Sequence, residues 1–203
     1  MTADLFLALT GFAFVMSISP GPGNFLLLAS GVNFGFARSI PLVLGISLGF
    51  LTMVLLVGLG VGQILQRYEG LYIVLKFICA AYVLWLAFKI ATSAPGEMTR
   101  EDGAATPISF VQAALFQLVN PKAWAVALIV TVTYTTETNY LSSLLAMIAV
   151  FAVINLPAIS LWALSGVLLR RIMSNPVQIR VFNVAMGLLL AGSMVPILMD
   201  FAS

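Results

Sequence analysis

Four long stretches of the chain carry no charge: residues 5–37, 39–66, 138–169 and 181–199. Each about equals or exceeds the roughly 18–20 apolar residues that a helix needs to cross the hydrocarbon of a bilayer. Two further apolar stretches carry isolated lysines. Lys76 and Lys89 sit near the two ends of one, where long stems can reach the headgroups, and Lys122 sits inside the other. The pattern predicts six spanning helices, over residues 4–35, 40–64, 71–91, 107–134, 140–164 and 181–200, the first and fourth of them interrupted. The expected fold class is therefore an all-α integral membrane protein of one membrane domain. A polar loop rich in Pro, Gly and acids at residues 92–106 separates a first set of three helices, residues 1–91, from a second, residues 107–203.

The interruptions fall at particular places. The uncharged run 5–37 has its midpoint at Gly21, inside "SPGPGN". Between Asp102 and Glu137 the single charge is Lys122, and the midpoint lies next to Asn120. The run 138–169 is centred beside Asn155 and Pro157. Three breaks near the bilayer midplane are expected. Backbone groups freed there cost several kcal/mol each unless protein or a water-lined cavity receives them. The breaks near residues 21 and 121, and the span starts near 40 and 140, recur at an offset of about 100. An odd number of spans per half makes the halves enter the membrane in opposite senses, as two inverted three-helix repeats. Paired broken helices in matching positions point to the binding site of a transporter.

The local chemistry refines this. Asn120 suits an N-cap and Pro121 the first helical position. At the first break either Ser19 caps with Pro20 first, or Gly21 caps with Pro22 first. In both cases a half-helix N-terminus lies within Gly21 to Asn24, including Gly23, with its positive dipole end at midplane. Two such termini facing each other would hold a carboxylate. Lys122 costs roughly 2.5–3.5 kcal/mol at a span centre on the insertion scale. It could bind a substrate carboxylate, repel cations, or tie down carbonyls at the end of the preceding half-helix. Gln117 shares the face of Asn120, and Asn155 is a further polar candidate or an interhelical bond.

Composition narrows the function classes. The chain is 62% hydrophobic and 8% charged, which excludes a soluble domain of this length. The leader Met1–Asp4 has an acid and no base, unlike a cleavable signal. There is no His and a single Cys, Cys79, so no metal site, cofactor or disulfide is expected, and an intramembrane enzyme would lack its usual groups. A net charge of +2 gives no basic stripe for nucleic acid. Arg38, Lys89, Arg100, Arg170, Arg171 and Arg180 follow odd-numbered spans, against Arg67 and Lys76 on the other side. The expected cytoplasmic side is therefore that of the odd-numbered loops, including 92–106, with both termini outside. "GISLG", residues 45–49, matches a hydrolase nucleophile pattern but lies in a span and has no His partner. Gly45 and Gly49, continued by Thr52, read instead as a packing face that suits internal contacts and a homodimer equally.

"SPGPGN", "GISLGF", "AAYVLWLAFKIA" and "FQLVNPKAW" together resemble the LysE/RhtB family of amino-acid exporters, across essentially the whole chain. The third span followed by "PISF" looks most like that family's cysteine/O-acetylserine branch. The resemblance implies a bacterial inner-membrane protein that moves small zwitterionic amino acids or derivatives outward, such as cysteine, O-acetylserine, threonine, homoserine or leucine. Its functional positions would be Pro20, Gly21, Pro22, Asn120, Pro121 and Lys122. Divalent-cation export, known in related families, is disfavoured by the buried positive charge and the missing soft ligands.

Overall fold

Proline placement dictates where several helices begin. In the computed structural model, which describes residues 3–61, 69–93, 106–173 and 175–195, three helices start with Pro at the first position, where the missing N–H is not needed. The elements are α1 (Ala3–Ile18), α2 (Pro22–Gly58), α3 (Glu69–Ala91), α4 (Phe110–Gln117), α5 (Pro121–Tyr134), a 3₁₀ turn (Glu137–Asn139), α6 (Tyr140–Ile172) and α7 (Pro176–Gly192). The described residues are thus all-helical. α2 and α6 are each long and apolar enough to cross a membrane, and α4 with α5 forms a third such unit bent by 60°. Capping boxes Ser109/Gln112 and Asn175/Gln178 fix the starts of α4 and α7. Most of the polar loop 92–106 lies outside the described residues, as do Arg67, Arg100 and the side chain of Lys76.

The structure keeps the expected boundary between the first two spans and corrects the expectation in two places. Gly35 falls at that boundary: it divides α2 into two parts, 22–34 and 36–58, and Pro41 stays inside the second part. The chain turns back there, so that Gly23 lies against Ile46 and Ser30 Oγ lies 2.7 Å from Ser39 Oγ. Gly35 has φ 76°, where a side chain would be strained, and Ser39 Oγ donates to its carbonyl at 2.7 Å. The expected third break, beside Asn155 and Pro157, is absent, and α6 continues through both. A single Pro removes one helical donor. Ending the helix there would also need a cap, and the Asn155 amide is turned away to donate to Ser17 Oγ at 3.1 Å. The last helix begins at Pro176 rather than near 181, because Asn175 caps it.

Small residues set the packing. The second part of α2 runs antiparallel to α6, with Phe50 on Phe151 and Tyr140 donating to the Gly58 carbonyl at 2.7 Å, and Gly31 of the first part packs against Ala163 and Gly166 further along α6. A Cβ on Gly31 would strike the Ala163 carbonyl oxygen, and one on Gly166 that of Leu28. These glycines therefore allow backbone-to-backbone contact. Gly45 and Gly49 pack inward on α4, against Ala113 and Ala114, whereas Thr52 is exposed and does not continue that face. α1 packs on α6, and α3 pairs with α7. Two apolar clusters result. One gathers Leu26, Leu42, Leu86, Phe116 and Leu190, and the other Leu9, Met53, Val130, Met147 and Phe151. Large apolar side chains also cover the outside, among them Val132 at 82% and Val153 at 75% exposure. Such an exterior suits lipid rather than water.

Candidate functional site

The C-terminal end of α1 lies inside the protein, so its last carbonyls must find donors other than water. They find them on three other helices. Asn24 Nδ2 donates to the carbonyls of Ser17 (2.9 Å) and Ser19 (2.8 Å). Trp162 Nε1 on α6 donates to Ile18 O at 3.0 Å. Lys122 Nζ on α5 donates to Ser19 O at 2.6 Å and to Ser19 Oγ at 2.8 Å. Lys122 therefore does tie down carbonyls at a half-helix end, but at α1 rather than at the preceding α4. A cation there also meets the negative end of the α1 dipole. The two breaks, 103 positions apart in sequence, are stitched to each other by this side chain.

The helix starts are built differently. Gly21 and Pro22 begin α2, which settles the choice between Ser19 and Gly21, and no side chain caps it. At the second break Asn120 caps α5 as expected, its Oδ1 accepting from Lys122 N–H at 3.2 Å. Asn120 Nδ2 donates onward to Gln117 Oε1 at 3.3 Å. Both starts open onto one cavity of about 60 Å³, room for a few waters or a small polar group. Its polar wall holds Ser17, Gly21, Gly23, Asn24, Gln117, Asn120, Lys122 and Asn155. Its apolar wall holds Met16, Ile46, Phe50, Ala123, Val126, Phe151 and Ile159, with Phe50 and Phe151 edge to face at 5.3 Å. The cavity sits where the two apolar clusters meet, lined by both parts of α2 and the middle of α6.

Of the ten residues expected at the site, seven line the cavity: Gly21, Gly23, Asn24, Gln117, Asn120, Lys122 and Asn155. Pro20, Pro22 and Pro121 do not. Pro20 is exposed in the break, and the other two start helices. Two buried polar atoms are without a partner among the described residues, Gln117 Nε2 and Asn155 Oδ1, and both residues face the cavity. A second cavity, about 190 Å³, lies beside the Gly35 break between Ser30, Asn33, Phe34, Lys89 and Ser93.

Residues 14–199 match the family described as LysE type translocator. The chain belongs to that family. Curated relatives similar to this translocator include proteins named cysteine/O-acetylserine efflux protein from Escherichia coli (strain K12) and Escherichia coli O1:K1 / APEC. A relative of the same name comes from Shigella sonnei (strain Ss046). Each is 34% identical over 193 residues, covering 94% of this chain and 95% of the relative. No solved structure matches the chain. The translocator is a transporter, not an enzyme, and a multi-pass protein of the inner membrane.

Sequence reasoning missed the apolar wall of the translocator's cavity and the roles of Ser17, Ser19 and Trp162. Apolar residues recur along every span, so nothing local marks Phe50 or Phe151 as facing the site. Ser17 and Ser19 flank the first break, and a search for the donors owed to the α1 carbonyls could have found them.

Proposed function

We propose that this protein is a secondary transporter exporting small amino acids or their derivatives from the cytoplasm, through six spans in two inverted three-helix repeats. The carrying observation is the cavity at the middle of α6, onto which two helix starts, Lys122 and the spare atoms Gln117 Nε2 and Asn155 Oδ1 open. The order of elements supports the repeat: helix, break, helix and long helix recur as α1 with the two parts of α2, then as α4, α5 and α6. Half-helix ends meeting at midplane are the means by which such repeats bind small ions and zwitterions. Gly21, Gly23, Asn24, Gln117, Asn120, Lys122 and Asn155 contact the substrate in this reading, while Pro20, Pro22 and Pro121 hold the breaks. The relatives' names make cysteine and O-acetylserine the first substrates to test. The small cavity favours short side chains over leucine. The second cavity, beside Lys89, serves as the cytoplasmic approach. Lys122 in the wall weighs against a divalent cation as cargo.

The test is export of labelled O-acetyl-L-serine and L-cysteine from proteoliposomes containing the purified protein, with an imposed proton gradient and membrane potential. Efflux above that of empty liposomes is expected for at least one. Equal efflux with and without protein, for these and for a panel of neutral amino acids, would sink the proposal.

A further inference from the structure

Gln117 is 2% exposed and Asn155 is 7% exposed, yet each keeps one side-chain atom unpaired. Buried polar atoms are nearly always paired, since an unsatisfied one keeps the full penalty of losing its water. The two spare atoms have opposite character. On the Gln117 side the assignment follows from a fixed chain of bonds. Lys122 N–H can only donate, so it takes Asn120 Oδ1. Asn120 is left to donate from Nδ2, which takes Gln117 Oε1, and the spare group is the donor Nε2. On the Asn155 side, Nδ2 donates to Ser17 Oγ and the spare atom is the acceptor Oδ1.

The surroundings have matching polarity. Gln117 closes α4 but is bonded through its Oε1 to Asn120, the cap of α5, and the start of α2 has no side-chain cap, so the N–H groups of two helix starts face the cavity beside the spare Gln117 Nε2. Lys122 adds its charge there, against Gly21. Asn155 is bonded to the last turn of α1, a helix C-terminus, whose dipole favours a cation. We infer that the cavity binds a zwitterion in one orientation, its carboxylate at Gln117 Nε2 and the starts of α2 and α5, its ammonium at Asn155 Oδ1. The inference rests on the proposed function and adds the polarity of the site. In it Lys122, held by Ser19, adds positive charge to the carboxylate side of the cavity.

The experiment uses full-length protein in proteoliposomes and counterflow of labelled O-acetyl-L-serine. Two competitors each lack one pole: 2-aminoethyl acetate has no carboxylate and 3-acetoxypropanoate has no ammonium. With wild type both compete about tenfold or more weaker than unlabelled O-acetyl-L-serine, as for a site built to bond both groups. Gln117→Glu and Asn155→Asp are the same near-isosteric change with opposite expected results. Gln117→Glu puts an acceptor against the carboxylate, weakening O-acetyl-L-serine about tenfold or more and leaving 2-aminoethyl acetate unchanged. Asn155→Asp keeps the acceptor and adds charge, so 2-aminoethyl acetate competes several-fold better. Asn155→Leu lowers O-acetyl-L-serine to the level of 3-acetoxypropanoate, whose own competition does not change. Thermal unfolding in detergent checks that each variant is folded. If the two acidic variants shift both competitors in the same sense, or wild-type discrimination persists in all three, the orientation is wrong while the transport reading stands. If wild type moves no amino acid, the transport reading fails and this inference goes with it.

Discussion

Lys122 illustrates how a residue that is expensive to bury is kept in place. Its charge costs roughly 2.5–3.5 kcal/mol at a span centre, and two short bonds to Ser19 offset part of that. Lys122→Met removes the cost and the bonds together, and Ser19 O keeps its bond from Asn24. The expected change in stability is thus within about 1 kcal/mol, while transport falls about tenfold or more because the polarity of the cavity is lost. Gly21→Ala should act the same way from the other side. Its Cβ would lie 2.7 Å from Lys122 Cδ and push the stem away from Ser19. Counterflow and thermal unfolding measured on both variants check this pair. Wild-type transport in Lys122→Met would remove the residue from the site. The sequence marks Lys122 as exceptional but does not reveal its partner, because Ser19 is 103 positions away.

At the scale of elements, glycines divide into those that let helices touch and those that do not. Gly31 and Gly166 lie where the backbones of α2 and α6 meet, whereas a Cβ added at Gly11 would meet no atom within 4 Å. Gly31→Ala is therefore expected to destabilise by about 1–3 kcal/mol through overpacking. Gly11→Ala is expected to stabilise by roughly 0.5–1 kcal/mol through helix propensity. Thermal unfolding in detergent separates the two, and equal effects would show that the α2–α6 contact is not tight. The breaks around Gly21 and Asn120 are legible in the sequence, since Pro, Gly and Asn cluster there. The turn at Gly35 falls where the sequence ends the first span, whereas the continuity of α6 through Pro157 is not legible. One Pro ends a helix or not according to whether its neighbours cap the freed backbone, and at Pro157 the Asn155 amide is turned away to Ser17.

For the whole molecule, the distribution of Lys and Arg gives the proposed orientation its testable form. Six basic residues follow odd-numbered spans and two lie on the other side. A phosphatase active only outside the cytoplasm, fused to the C-terminus, should be active, and a fluorescent protein that folds only in the cytoplasm should be dark. The reverse pair of results would invert the orientation and place the second cavity on the outer side. It would leave the central cavity, between the two halves of the element order, where it is.

Composition and uncharged runs alone determined that the chain lives in lipid, that it is helical, and roughly where its helices break. Those properties depend on neighbours in sequence: spans need uninterrupted apolar residues, and breaks need Pro, Gly and a cap. The tertiary structure decided which side chains answer the freed backbone and which remain unanswered. Ser19, Trp162 and Asn24 meet at the end of α1, and Gln117 and Asn155 face one cavity from α4 and α6, only because the packing of α1 and both parts of α2 on α6 brings distant segments together. An orphaned donor and acceptor are defined by what surrounds them in space, and no local pattern carries that information.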